Sequence, residues 1–152
     1  MRVVDLIDQD SILPGLRARR KNDVIPELAE FLATRHAGVT QHDAARVLTE
    51  RERLGSTAVG GGLAIPHAKL ETVRGLIACL GRSPRGIDFG SPDEKPTHFF
   101  FVIIAPEQAQ GDHLKALARI SRLFQSSELR TRLLAAETAE GMYAIMASAE
   151  TD

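Results

Sequence analysis

The stretch that decides the reading is Gly55-Ser56-Thr57-Ala58-Val59-Gly60-Gly61-Gly62-Leu63-Ala64-Ile65-Pro66-His67-Ala68-Lys69. Three consecutive glycines can adopt positive φ angles and let the backbone approach a ligand closely. Such loops present successive amides, which suit an anion. Ser56 and Thr57 add hydroxyl donors, and Pro66 fixes the approach to His67. The segment is not a nucleotide P-loop, because no Lys-Ser/Thr pair follows the second glycine. It does not fit the dinucleotide fingerprint either: no suitable strand leads directly into it, and no helix visibly follows. The anion it suits is a phosphoryl group already attached to protein. Histidine matches that task. Its ordinary pKa of about 6.5 leaves a neutral, nucleophilic nitrogen near neutrality. A phosphoramidate on it can pass onward without ATP, since a protonated imidazole leaves readily. The remaining requirement is to hold three anionic oxygens and exclude water. Loop amides, the Ser56 and Thr57 hydroxyls and one or two cations would meet it.

Elements read outward from this segment place it in a layered domain. Leu63-Ala64-Ile65 reads as a short strand, while Gly55 to Gly62 is expected to be irregular. Upstream, Ile12 to Leu16 is a short strand candidate interrupted by Pro14-Gly15. Asn22 is expected to cap a helix whose face carries Val24, Ile25, Leu28, Phe31 and Leu32. Thr40, with Asp43 three residues on, opens a second helix running to about Leu54. Downstream, Leu76 to Leu80 and Phe99 to Ala105 are continuous apolar runs of strand length, with Pro84, Gly86, Gly90, Pro92 and Pro96 marking loops between them. The last third predicts three helices: one patterned by Leu114, Leu117, Ile120 and Phe124, one capped by Ser126 or Ser127, and one capped by Thr138. Helices flanking apolar strands imply an α/β (α+β) domain with a mostly buried sheet.

Bulk properties fit one domain over residues 1–152. The 152 residues suffice for one sizeable core, and 43% hydrophobic with 26% charged residues describes a folded globular chain. Nineteen basic against twenty acidic residues give a net charge of -1. That balance offers no electrostatic case for nucleic acid or an anionic membrane. The basic cluster Arg17 to Lys21 lacks interleaved aromatics and reads as a solvated loop or helix start. The single cysteine, Cys79, sits in an apolar run and reads as core; no thiolate pair for a metal exists. The start lacks a signal-peptide apolar region, and the longest apolar run is too short to span a bilayer, so the cytoplasm is the expected compartment.

At this point the residues resemble a family. The pattern S-T-G-[IV]-G-x-G-[IVL]-A-I-P-H marks phosphotransferase-system enzyme IIA domains of the fructose/mannitol type, a superfamily that includes the nitrogen-regulatory IIA proteins. Ser56-Thr57, Val59-Gly60 and Gly62 to His67 match in order. The likeness continues in Glu50 to Arg53, Gly86 to Phe89, Phe101 to Pro106 and His113 to Leu123, covering roughly Val3 to Met146. Ala58 and Gly61 depart from the usual Gly and Asn. The resemblance implies a mixed, mainly five-stranded sheet flanked by helices on both faces. It implies that His67 accepts the phosphoryl group, that His113 stabilises it and that Arg53 neutralises its charge. The phosphoryl-binding loop would comprise Ser56, Thr57, Gly60, Gly61 and Gly62. The donor would be a histidine-containing phosphocarrier protein, and the acceptor a IIB domain or a regulated target protein. No cofactor or metal is required. A freestanding IIA leans toward the regulatory, nitrogen-type role, with sugar-specific transfer as the alternative.

Plainer readings stand beside these. Ser56 could simply cap a turn, Arg53 could be an ordinary helix-end cation, and Lys69 a surface charge. A zinc site from His67, His98 and His113 is conceivable, but nothing in the spacing demands it.

Overall fold

The run Phe99 to Ala105 is at most 1% exposed along its whole length, as expected of a strand covered on both faces. It forms the spine of the sheet. The computed structural model describes residues 1–150. Two short 3-10 turns, Val3–Asp5 and Gln9–Ser11, lead into β1 (Ile12–Leu13) and then helices α1 (Lys21–Arg35) and α2 (Gln41–Arg53). Three short strands follow: β2 (Ala58–Gly60), β3 (Leu63–Ala64) and β4 (His67–Lys69). Then come the long strands β5 (Ile77–Ile87) and β6 (Thr97–Ala105), and helices α3 (Gln110–Leu123), α4 (Ser127–Ala135) and α5 (Ala139–Ala149).

The sheet runs β1-β5-β6-β3-β2, with β4 also paired to β6. It is mixed: β5 is antiparallel to β6, while β3 and β4 are parallel to it. The expected mixed sheet with helices on both faces is present, with β4 as a sixth strand. Strand alternation splits the core in two. Phe100, Val102 and Ile104 pack under α1 and α2 with Leu28, Leu32 and Leu48. Phe99, Phe101 and Ile103 pack under α3, α4 and α5 with Ile120, Leu133 and Met146.

Three local expectations are corrected. Helix α1 starts at Lys21 with Arg20 as its N-cap, so Asn22 lies inside the first turn. The Glu27 carboxylate holds the Arg17 and Ala18 amides at 2.8–3.0 Å, which fixes the chain's entry, and the cap falls two residues earlier than expected. The stretch Gly55 to Gly62 is not all irregular. Gly60, Gly61 and Gly62 take φ values of 92, 64 and 80° and turn the chain back, so that β2 pairs with β3 as a hairpin. Finally, β5 continues through Ser83-Pro84-Arg85-Gly86. Between the pairs Arg82↔Phe99 and Ile87↔Thr97 the register shifts, so the extra residues form a large bulge that accommodates Pro84. Thr40, Ser126 and Thr138 cap their helices by accepting backbone amides.

Arg82 joins these layers. It is 6% exposed and donates to the carbonyls of Pro14 (2.9 Å), Leu133 (2.7 Å) and Ala136. These tie β1 and the end of α4 to β5.

Candidate phosphorylation site

Strands β3 and β4 share one register on β6. Leu63 pairs with Phe99, Ala64 with Phe100, His67 with Ile103 and Ala68 with Ile104. They are one parallel strand interrupted at Ile65-Pro66. The interruption follows from the residues. Pro66 has no amide to give, and the Ile65 amide donates to the Thr57 carbonyl of the hairpin at 3.0 Å. The Pro66 carbonyl still accepts from the Ile103 amide at 3.0 Å, so alternation is kept across the break. Leu63 and Ile65 face the core under α3 to α5, and His67 faces the same side.

On that side α3 brings His113 in its opening turns, 7% exposed, with its ring 5.3 Å from the His67 ring at 76°. The His67 Nδ1 lies 2.6 Å from the Ile65 carbonyl oxygen. A carbonyl only accepts, so Nδ1 carries the proton, and in the neutral ring Nε2 holds the lone pair. The tautomer is thereby fixed with a nucleophilic nitrogen away from the backbone.

Burial pushes the His67 imidazole below its ordinary 6.5; the Ile65 hydrogen bond and Glu52 oppose this, and the Arg51 charge adds to it. His113 is also lowered, first by burial, then by the proximity of His67 and of the Lys69 ammonium. A half-buried ring in contact with a buried one disfavours double protonation. The pair is therefore neutral near neutrality, the state a nucleophile needs. His113 Nδ1 is buried with no hydrogen-bond partner among the described residues.

The structure brings some of the expected residues together and separates others. His67 and His113 are in contact. The glycine turn is elsewhere: the Gly62 carbonyl accepts from the His98 and Phe99 amides, whereas His67 pairs with Ile103. Those levels of β6 are roughly 15 Å apart at strand rise. Gly61 donates instead to Asp93 Oδ2 at 3.0 Å. Gly60, Gly61 and Gly62 therefore form a hairpin turn, not a cradle around His67. The start of the segment is what lies near the histidine, since the hairpin sets Thr57 beside Ile65. Its hydroxyls are committed internally. Ser56 donates to the Phe89 carbonyl at 2.6 Å and receives the Ala58 amide at 3.1 Å, so it caps a turn. Thr57 donates its hydroxyl to Glu52 at 2.5 Å and its amide to the same carboxylate at 3.2 and 3.0 Å. Arg53 lines a hollow with Lys21, Asn22 and Phe89. The arginine whose charge acts on His67 is Arg51, whose Nη1 donates to the Gly55 carbonyl at 3.0 Å.

Sequence reasoning missed Arg51, Glu52 and Lys69 as members of this neighbourhood. A signal existed for Lys69: two residues beyond His67 on a strand, it shares that face. Nothing in the sequence marked Glu52 as the buried carboxylate that organises Thr57. Among the described residues no group of three or more His, Cys, Asp and Glu side chains could hold a metal ion, and no helix is long and apolar enough to cross a membrane.

Comparisons with known proteins agree on one family. The model of the phosphoenolpyruvate-dependent sugar phosphotransferase system, EIIA 2, matches residues 5–149. A nitrogen regulatory protein of Bradyrhizobium diazoefficiens is 40% identical over 147 residues, 97% of this chain and 95% of that protein. The fructose-specific EIIABC component of Bacillus subtilis is 34% identical over 146 residues, 96% of this chain but 23% of that larger protein. The crystal structure of nitrogen regulatory protein IIA-Ntr from Neisseria meningitidis superposes with a TM-score of 0.87 at 28% identity, covering 95% of this chain and 98% of that one. The chain thus belongs to the EIIA 2 family of the phosphoenolpyruvate-dependent sugar phosphotransferase system.

Proposed function

We propose that this domain is a cytoplasmic phosphohistidine carrier that takes a phosphoryl group on His67 Nε2 and acts mainly as a regulator. The observation that carries the reading is the 2.6 Å contact of Nδ1 with the Ile65 carbonyl, which leaves Nε2 as the nucleophile. The donor is a phosphohistidine on a small carrier protein. Nε2 attacks phosphorus, the new N–P bond forms as the donor's N–P bond breaks, and the donor imidazole leaves with the bonding pair. The cost lies in positioning and charge. His113, 5.3 Å away, orients the acceptor ring and the transferred group. Arg51 and Lys69 supply the cations. Arg51 replaces Arg53 in that role, because its charge is the arginine charge felt at His67. Ser56 and Thr57 act by shaping the backbone beside His67, since their hydroxyl protons are already donated.

The regulatory role is supported by the nitrogen regulatory relative, which this chain spans almost end to end. The fructose-specific relative favours a second reading, discharge onto a IIB domain during sugar uptake. Incubation with phosphoenolpyruvate, enzyme I and the histidine carrier tests the first step. The expected result is a mass gain of one acid-labile phosphoryl group, absent in His67→Ala. No transfer from the cognate carrier would overturn the proposal. Adding IIB domains from the same cell then separates the two roles, since only the sugar reading predicts discharge.

A further inference from the structure

A hollow lies beside the candidate phosphorylation site, joined to it through Glu52 and Thr57. Between the start of α1 and the end of α2 is a cavity of about 550 Å³, within the range of small-molecule sites. Ile25, Pro26 and Phe89 give it an apolar side, and Lys21, Glu52 and Arg53 its charges. Glu52 is 8% exposed and already accepts from the Thr57 amide, the Thr57 hydroxyl and, at 3.3 Å, the Lys21 ammonium. Its acceptor capacity is therefore largely used. Lys21 is held in place by that contact, by the Phe89 carbonyl at 3.3 Å and over the Phe89 ring at 4.8 Å. Arg53 has no ion pair or hydrogen bond among the described residues, whereas Arg46 close by pairs with both Asp43 and Glu50. Two cations against one satisfied carboxylate leave the cavity with a net positive charge and one uncommitted guanidinium.

We infer that this cavity binds a small organic anion, with its carboxylate or phosphate head between Arg53 and Lys21 and a compact apolar body against Ile25 and Pro26, and that occupancy is felt at the His67 hairpin through Glu52. The route is short. An anion competes with Glu52 for the Lys21 ammonium, and the same carboxylate holds the Thr57 amide and hydroxyl. Thr57 in turn accepts from Ile65, whose carbonyl holds His67 Nδ1. Every link is a hydrogen bond between named atoms.

The test is a titration of the full chain, unphosphorylated, followed by amide chemical shifts. Benzoate and phenyl phosphate are the probes, which separate the two head groups, and benzyl alcohol is the neutral control. Either anion should give saturable shifts at Lys21, Asn22 and Thr57, and benzyl alcohol none. Arg53→Gln, a change at an exposed side chain that leaves the fold intact, should weaken binding roughly tenfold, the effect of losing one charge-assisted hydrogen bond. The His67→Ala protein should titrate as the parent does, so the outcome is independent of whether His67 carries a phosphoryl group. Four results would overturn the inference: no saturable shift with either anion, equal binding of the alcohol, equal affinity in Arg53→Gln, or a Thr57 amide that stays still while Lys21 moves.

Discussion

Replacing Glu52 by glutamine separates the charge of this side chain from its shape. The carboxylate is 8% exposed and receives three donor groups: the Thr57 amide, the Thr57 hydroxyl and the Lys21 ammonium. Glutamine keeps the volume but converts one acceptor oxygen into a donor NH2. The remaining oxygen can serve two of the three donors, and the new NH2 faces the third. Losing one buried charge-assisted hydrogen bond in this way costs about 1.5–3 kcal/mol. The Lys21 ion pair adds little, about 0.5 kcal/mol or less, because the lysine is substantially exposed and screened. The sum is about 2–3.5 kcal/mol, and at about 2–4 °C per kcal/mol for a chain of this size, thermal unfolding should fall by about 4–14 °C. Circular dichroism measures it. A second readout checks the electrostatics. Glu52 raises the His67 pKa, so its loss should move the His67 titration midpoint down in an NMR titration. A melting temperature unchanged within about 2 °C, or a His67 midpoint that rises, would refute this account of Glu52.

Three further outcomes are expected. His67 and His113 both titrate below 6.5 when folded, so between those values and 6.5 the unfolded chain binds more protons. Stability is then full above about 6.5 and falls as pH drops through the folded pKa values. Urea midpoints should be lower at pH of about 5.5 than about 7.5, and His113→Gln should narrow the gap; identical midpoints in the parent would contradict the shifts. Arg82→Met keeps the aliphatic stem but removes three hydrogen bonds to Pro14, Leu133 and Ala136. Denaturant unfolding should show a loss of about 3–5 kcal/mol, the cost of leaving buried polar partners unmet, and a loss under about 1 kcal/mol would mean that water replaces the guanidinium. Gly61→Asn places a residue tolerant of left-handed backbone at φ 64°, in a turn distant from His67. Phosphoryl transfer to His67 should keep the parent rate, and a large loss would place the turn at the site after all.

The sequence made much of this molecule legible, and the failures have physical causes. The apolar run Phe99 to Ala105 marked the buried spine because burial on both faces leaves only one kind of side chain to use. Thr40, Ser126 and Thr138 marked helix starts because a cap works through local atoms. The glycine segment misled because nearness in sequence was taken for nearness in space. A hairpin folds the chain so that Thr57, ten residues before His67, lies next to Ile65, while Gly62, five residues before it, lies far along β6. The choice between Arg51 and Arg53 turned on helix phase. Two residues apart on α2 is about 200° around the axis, so the two guanidinium groups leave on opposite sides. Glu52 was hidden for a different reason. Glu50-Arg51-Glu52-Arg53 reads as a solvated charged run, and only the packing of α2 against the hairpin makes one of its four charges a buried acceptor.

The unbroken register across Ile65-Pro66 sets a rule for how this chain can vary in length. Strand β4 keeps the same pairing offset to β6 as β3 does, although Pro66 offers β6 only its carbonyl and no amide. One residue inserted or deleted between Ala64 and His67 would reverse which side chains face which layer. The histidine would then point toward α1 and α2, and the acceptor nitrogen would lose His113. The glycine turn a few residues earlier is under no such constraint. Among relatives of this chain, gaps should be missing from Ala64 to His67. A spacing fixed there by backbone pairing would persist even where the residues that fill it differ.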